Sequence, residues 1–283
     1  MKNSGFLKLF GMRGWILPAC VLFMLASFAP MALADSYDDA IDAYNRGDYA
    51  TALKLLQPLA DADDADAQTS LGEMYDSGEG VAQNFGEALK WYRLAVAQGD
   101  ADAQYDLGWM YESGRGVDQD YDQAMKWYRL AAAQGNPDAQ TSLGEMYDNG
   151  EGVAQDFNEA VKWYRLAATQ GDDDAQYDLG WMYESGRGVD QNSAEALKLY
   201  RRAAMQDNTD AEEALGEMYD SGDGVTKNAV LAYMWYSLAD PASNPDAAAG
   251  LKDLATRMNA AQIEKAQEMA QKCGASDFKD CGE

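Results

Sequence analysis

The stretch Asp102-Ala-Gln-Tyr-Asp-Leu-Gly-Trp-Met-Tyr-Glu-Ser-Gly-Arg-Gly-Val-Asp-Gln119 recurs letter for letter from Asp174 to Gln191, 72 residues on. Half that spacing organises the chain. Glycines stand at Gly72, Gly108, Gly144, Gly180 and Gly216, each 36 residues after the last. Each is preceded by a leucine (Leu71, Leu107, Leu143, Leu179, Leu215) and followed three residues later by a tyrosine (Tyr75, Tyr111, Tyr147, Tyr183, Tyr219). A Gly-x-Gly-Val follows at Gly78, Gly114, Gly150, Gly186 and Gly222. Self-similarity at a fixed period of this size predicts stacked repeats.

Each unit reads as two helices. Helix A opens at an N-cap residue, Asp64, Asp100, Asn136, Asp172 or Asn208. Its apolar face carries Ala67, Leu71 and Tyr75, and Gly78 or its equivalent stops it. Helix B opens at Asn84, Asp120, Asp156, Asn192 or Asn228. Glu87, Gln123, Glu159 and Glu195 stand where a capping box would place them. Gly99, Gly135 and Gly171 end helix B, and Asp207 breaks that rule. A single pair cannot bury its own apolar faces, whereas a stack can.

The run Ala67-Gln68-x-x-Leu71-Gly72-x-x-Tyr75-x-x-Gly78-x-Gly80-Val81, followed by Ala88-x-x-Trp91-Tyr92-x-x-Ala95, resembles the Sel1-like repeat, a relative of the tetratricopeptide repeat. The resemblance implies an all-α, right-handed α-solenoid used as a protein-interaction scaffold. It covers five units, 64–99, 100–135, 136–171, 172–207 and 208–239. Exported bacterial members are associated with signalling control, envelope or polysaccharide assembly and host contact. Residues 35–63 read as one tetratricopeptide-like helix pair, 240–272 as capping helices, and 273–283 as a tail in which Cys273 and Cys281 are expected to pair.

Residues 1–34 read as a bacterial signal peptide. Lys2, Lys8 and Arg13 precede a largely apolar segment, and Ala32-Leu33-Ala34 is a small-x-small cleavage site. A membrane anchor is the alternative, but Pro18 and Pro30 interrupt the segment. Cleavage after Ala34 would place the protein in the periplasm or outside the cell. It removes three basic residues and no acidic one, taking the formal charge from −26 to −29. Such a surface repels nucleic acid and anionic lipid and favours basic partners. The expected partner is a protein, with no integral span in the mature chain.

The chain has no histidine, which excludes His-dependent triads and His-ligated metals. No nucleophile elbow, phosphate loop or EF-hand spacing occurs. No cofactor, metal or catalytic residue is therefore assigned. A hydrolase remains the least supported reading. Trp91, Trp127, Trp163 and Trp235 recur at the repeat period and are assigned to the core.

The informative positions ignore the 36-residue period. The residue after Leu-Gly reads Glu73, Trp109, Glu145, Trp181, Glu217; four residues earlier stand Thr69, Tyr105, Thr141, Tyr177, Glu213. Tyr105 and Trp109 share a helix face, as do Tyr177 and Trp181, roughly opposite the core leucine. In the related tetratricopeptide arrays helix A lines the concave surface, so the resemblance implies that these aromatics, with Asp106, Glu112, Asp178 and Glu184, line an acidic concave groove. The expectation is that it docks a partner segment. The loops alternate Glu79, Arg115, Glu151, Arg187, Asp223, which predicts opposite charges on neighbouring loops. Lys90, Arg93, Lys126, Arg129, Lys162, Arg165, Lys198, Arg201 and Arg202 make helix B basic, read as falling late in the helix where its dipole favours cations. An anionic polysaccharide bound there, in envelope or exopolysaccharide assembly, is the alternative function.

Overall fold

The computed structural model describes residues 29–276 and residue 281. The expected signal segment therefore lies outside the described residues through residue 28, and residues 29–34 begin the first helix. The described residues form fourteen helices and no strand. A leading pair, α1 (Ala29–Asn45) and α2 (Tyr49–Asp61), precedes five repeat pairs. These are α3 (Ala65–Ser77) with α4 (Phe85–Gln98), α5 (Ala101–Ser113) with α6 (Tyr121–Ala133), and α7 (Pro137–Asn149) with α8 (Phe157–Gln170). Then come α9 (Asp173–Ser185) with α10 (Ser193–Ala204), and α11 (Thr209–Ser221) with α12 (Ala229–Leu238). From α1 to α12 each helix packs on its sequence neighbours, which builds an α-solenoid. None of the described helices is long and apolar enough to cross a membrane.

Local chemistry sets the boundaries. Asp64, Asp100, Asn136, Asp172 and Asn208 each accept a backbone N–H three residues on, so every odd repeat helix starts on a side-chain cap. Gly78 and its four equivalents end these helices in the left-handed region, at φ 71 to 81°. Where helix B lacks a glycine, Asp207 takes the same conformation at φ 65°.

The capping boxes form only in part. The N-cap side chains bond the helix, but Glu87, Glu159 and Glu195 pair with the lysines three residues on, Lys90, Lys162 and Lys198. A cation one turn away competes with the backbone N–H for the carboxylate. The full reciprocal box occurs at Asn259 and Gln262.

Each core glycine makes room for a ring. A Cβ at Gly72 would lie 2.4 Å from Tyr92, and Gly108 and Gly144 face Tyr128 and Tyr164 in the same way. Tryptophans bridge repeats: Trp91 is buried with α1, α2 and α3, and Trp127 packs on the α4/α5 cluster. Buried glutamines run through the stack. Gln68, Gln104, Gln140 and Gln176 each accept from a glutamine thirty residues on, at or just past the end of helix B, at 2.9–3.3 Å. Beyond α12, α13 (Pro245–Arg257) and α14 (Ala260–Ala275) close the stack through Ala247, Leu254, Met258 and Ala266. Cys273 and Cys281 are joined by a disulfide near the end of α14.

Candidate functional site

The loop between the two helices of a repeat sets the geometry of the aromatic positions. Two left-handed glycines, Gly114 and Gly116, turn the chain so that Arg115 folds back over its own helix. Its guanidinium stands 4.0 Å from the Trp109 ring centre and 5.6 Å from the Phe85 ring, with Asp76 at 3.4 Å. The second copy matches: Arg187 is 4.3 Å from Trp181 and 5.4 Å from Phe157. In the first sister loop, Glu79 accepts from Tyr49 at 2.9 Å and from Tyr44. In the next, Glu151 lies against Tyr121.

The loop charges therefore do not pair with each other, as the alternation first suggests. Glu79, Arg115, Glu151 and Arg187 each meet the first residue of the preceding even helix. That residue alternates with it: Tyr49 with Glu79, Phe85 with Arg115, Tyr121 with Glu151, Phe157 with Arg187. A phenol donates to a carboxylate, and a phenyl face receives a guanidinium. The second glycine of each loop permits the approach, since a Cβ at Gly116 would lie 2.8 Å from Phe85.

The remaining positions also have intramolecular work. The Tyr105 ring lies 5.7 Å from Tyr128, and Tyr177 lies 5.6 Å from Tyr200. Glu112 accepts from the Tyr128 hydroxyl and Glu184 from Tyr200 at 2.7 Å. Trp109, Trp181, Tyr105 and Tyr177 stay half-buried, so part of each ring surface remains open.

Between these aromatics the odd helices bring carboxylates together. Burial, with like charge from Asp102 and Asp100, pushes Glu73 up to about 7. Burial and Glu112 do the same to Glu145, and burial and Glu217 to Glu213, again to about 7. Asp178 reaches about 8 through burial and Glu145, and Asp106 is raised well above its usual range. Glu73 and Glu145 nevertheless meet solvent. The face is thus an open acidic floor whose carboxylates repel one another. Among the described residues no cluster has the geometry to hold a metal ion.

A cleft of about 240 Å³ sits at the start of this floor, lined by Tyr37, Ile41, Tyr44, Asn45, Asp66, Thr69, Ser70, Glu73, Asp100 and Asp102. Sequence reasoning missed it, because its α1 wall belongs to no repeat. The helix-B cations do not lie late in α4, α6 or α8, whose last turns hold no basic residue. These helices run on to Gln98, Ala133 and Gln170, a turn past the lysine–arginine pair. Arg129, Arg165 and Arg201 donate to Tyr147, Tyr183 and Tyr219 of the following helix.

Among curated proteins none matches the chain. Among solved structures it is similar to a Sel1 repeat protein from Oxalobacter formigenes, at 32% identity and TM-score 0.72, over 84% of this chain and 99% of that one. It is also similar to a protective antigen of uropathogenic Escherichia coli with an SLR fold, at 32% identity and TM-score 0.69. That match covers 91% of this chain and spans 57% of the antigen's chain. An immunity protein from Pseudomonas aeruginosa shares the fold at 23% identity and TM-score 0.51, over 74% of this chain and 83% of that one. The Sel1 repeat profile matches five times, at residues 65–100, 101–136, 137–172, 173–208 and 209–239. These spans fall one residue later than the sequence period suggested, and with them the chain belongs to the Sel1 repeat family.

Proposed function

We propose that the protein is a non-enzymatic scaffold, exported to the periplasm or beyond, which holds a cationic segment of a partner protein along its odd-helix groove. Sel1 repeat proteins generally act as protein-interaction scaffolds. The observation that carries the finer reading is the run of carboxylates along the odd helices, where Glu73 and Glu145 are open to solvent and burial, with like charge between Glu73 and Asp106 and between Glu145 and Asp178, opposes ionisation. A cationic segment laid across that face relieves the repulsion, and the open edges of Tyr105, Trp109, Tyr177 and Trp181 offer it apolar contact. Glu112 and Glu184, held by core tyrosines, contribute charge rather than direct grip.

The polysaccharide alternative is weaker on physical grounds. Lys90, Lys162 and Lys198 are ion-paired within their own helices, and Arg129 and Arg165 are engaged by tyrosines. The test replaces Trp109 and Trp181 with glutamate, the residue the sister repeats carry. Arg115 and Arg187 can then pair with the new carboxylates, so the helical structure should survive. Capture of a basic partner segment, measured in increasing salt, should weaken with salt in the wild type and with both substitutions. Binding that ignores salt and both substitutions would overturn the reading.

A further inference from the structure

We propose that the outer face of the even helices is a docking surface for an anionic phospholipid bilayer. The inference stands apart from the groove reading, since it uses the other side of the array and leaves the odd-helix face free.

Charge is divided between the two helix layers. The odd repeat helices α3, α5, α7, α9 and α11 carry eighteen carboxylates and no lysine or arginine. Helices α4, α6, α8 and α10 carry nine lysines and arginines against four carboxylates. The net charge of −26 is therefore an average over two unlike layers, and the repulsion of anionic lipid that it implies belongs to the odd side.

The even side has a regular surface. Lys54, Lys90, Lys126, Lys162 and Lys198 recur every 36 residues and are exposed. Pro58, Leu94, Leu130 and Leu166 follow the first four of them by one turn on the same helix face, and they are exposed too. Lys90 and Leu94 flank Tyr92, whose ring packs on Gly72 of α3, so both point away from the odd layer. In α10 the leucine position is Arg202, which donates to Ala168 O at 2.9 Å, and Met205 one turn on stands open instead. Leu94, Leu130, Leu166 and Met205, 42 to 52% exposed, are the large apolar side chains left open to solvent among the described residues. A single exposed leucine is ordinary; one per repeat along one side, each a turn from a lysine, is a patterned surface.

The pattern favours a bilayer over other anionic partners. The leucines come from separate helices with cations between them, so they offer a peptide no continuous apolar seam. A polysaccharide has no use for them. A bilayer accepts each leucine separately among its headgroups, while lysine and arginine stems lie along the acyl boundary and their charges meet phosphates. Lys54, Arg93 and Lys126 are in no ion pair among the described residues. Lys90, Lys162 and Lys198 are held only by exposed glutamates three residues before them, pairs weak enough to open to a phosphate. The odd-helix acids lie one helix layer deeper, roughly 10 Å, which exceeds the Debye length of about 8 Å at physiological ionic strength.

The experiment floats the full-length chain with vesicles of phosphatidylglycerol and phosphatidylcholine in equal parts, or of phosphatidylcholine alone. Binding is expected to the first and not the second, and to weaken with salt. Leu94→Ser with Leu130→Ser and Leu166→Ser should weaken it about tenfold. Lys54→Gln with Arg93→Gln and Lys126→Gln should weaken it by about fivefold per charge. All six positions are exposed, so circular dichroism should show both variants folded. Lys252→Gln with Lys265→Gln and Lys272→Gln makes the same change in net charge on α13 and α14, off this face, and should leave binding intact. Equal loss in that control, or binding that both face variants keep in full, overturns the proposal. Binding that falls with the cations and ignores the leucines marks a plain polyelectrolyte surface and overturns it as well. So does a chain that ignores vesicles but self-associates in sedimentation until the leucines are replaced, because the face then closes on a second copy.

Discussion

The Arg115 guanidinium lies 4.0 Å from the centre of the Trp109 ring and reaches Phe85 of the preceding repeat on the same turn. The contact joins a residue to its own helix and to its neighbour's, so it reports on stacking register. Arg115→Glu should destabilise the array by roughly 1–2 kcal/mol, as two cation–π contacts and a partly exposed ion pair are lost. Adding Phe85→Tyr recreates the arrangement that Tyr49 and Glu79 already use. The double variant should recover about half of the loss, and urea denaturation of the four-member cycle measures the coupling. Strictly additive effects would remove the pairing rule.

The core glycines make a sharper test of packing. A Cβ at Gly108 would sit 2.7 Å from two carbons of the Tyr128 ring, which is fully buried and cannot swing away. Gly108→Ala should therefore cost roughly 1–3 kcal/mol despite the better helix propensity of alanine. At Gly274, in α14, nothing lies within 4 Å of the added atom, and Gly274→Ala should cost nothing. Thermal melts of both variants settle the comparison.

The repeat skeleton was legible because it is written five times over: the caps at Asp64, Asp100 and Asn136, and the stops at Gly78 and Gly114, follow from residue type and period. The site was legible only in part. The period picked out Trp109 and Trp181, and Arg115 and Arg187 as well, but not that each arginine covers the ring six residues before it, because that contact depends on two left-handed glycines acting together. The alternation of Tyr49, Phe85, Tyr121 and Phe157 was present in the sequence and carries the same 72-residue signal. The cleft was not legible, since Tyr37 and Tyr44 lie in a leading pair whose distance to α3 no period reveals. Gln68 and its equivalents belong to the motif without any role that spacing reveals, yet they are buried and bonded from repeat to repeat.

That glutamine series ends in an acid. Glu212 occupies the fifth position, is 1% exposed, and has no partner for Oε1. The next donor in the series would fall at Ala242, past the end of α12, and alanine has nothing to give. Burial, with Asp207 adding like charge, raises the Glu212 carboxyl to about 8. A group raised in the folded state contributes stability that is full below its unfolded value, about 4.5, and lost as pH rises through about 8. Glu212→Gln should thus change little at pH 4.5 and stabilise the protein at pH 9 by roughly 1–3 kcal/mol. Melting curves at the two pH values give the difference, and an equal effect at both would contradict the assignment.

Asp207 links backbone conformation to that buried acid. It holds φ 65°, where the equivalent positions Gly99, Gly135 and Gly171 use glycine at φ 92 to 108°. Asp207→Gly should relieve the left-handed cost of a side chain, worth about 0.5–1 kcal/mol since aspartate tolerates this region better than most residues. The same change removes the like charge that acts on Glu212. Its benefit should therefore grow with pH in the wild-type background, as ionised Glu212 is penalised less. In the Glu212→Gln background the backbone gain should remain and the pH-dependent part should vanish. Melting temperatures of the four proteins across pH 5 to 9 separate the two contributions, and a pH-dependent gain that persists without Glu212 would show that Asp207 acts through another group.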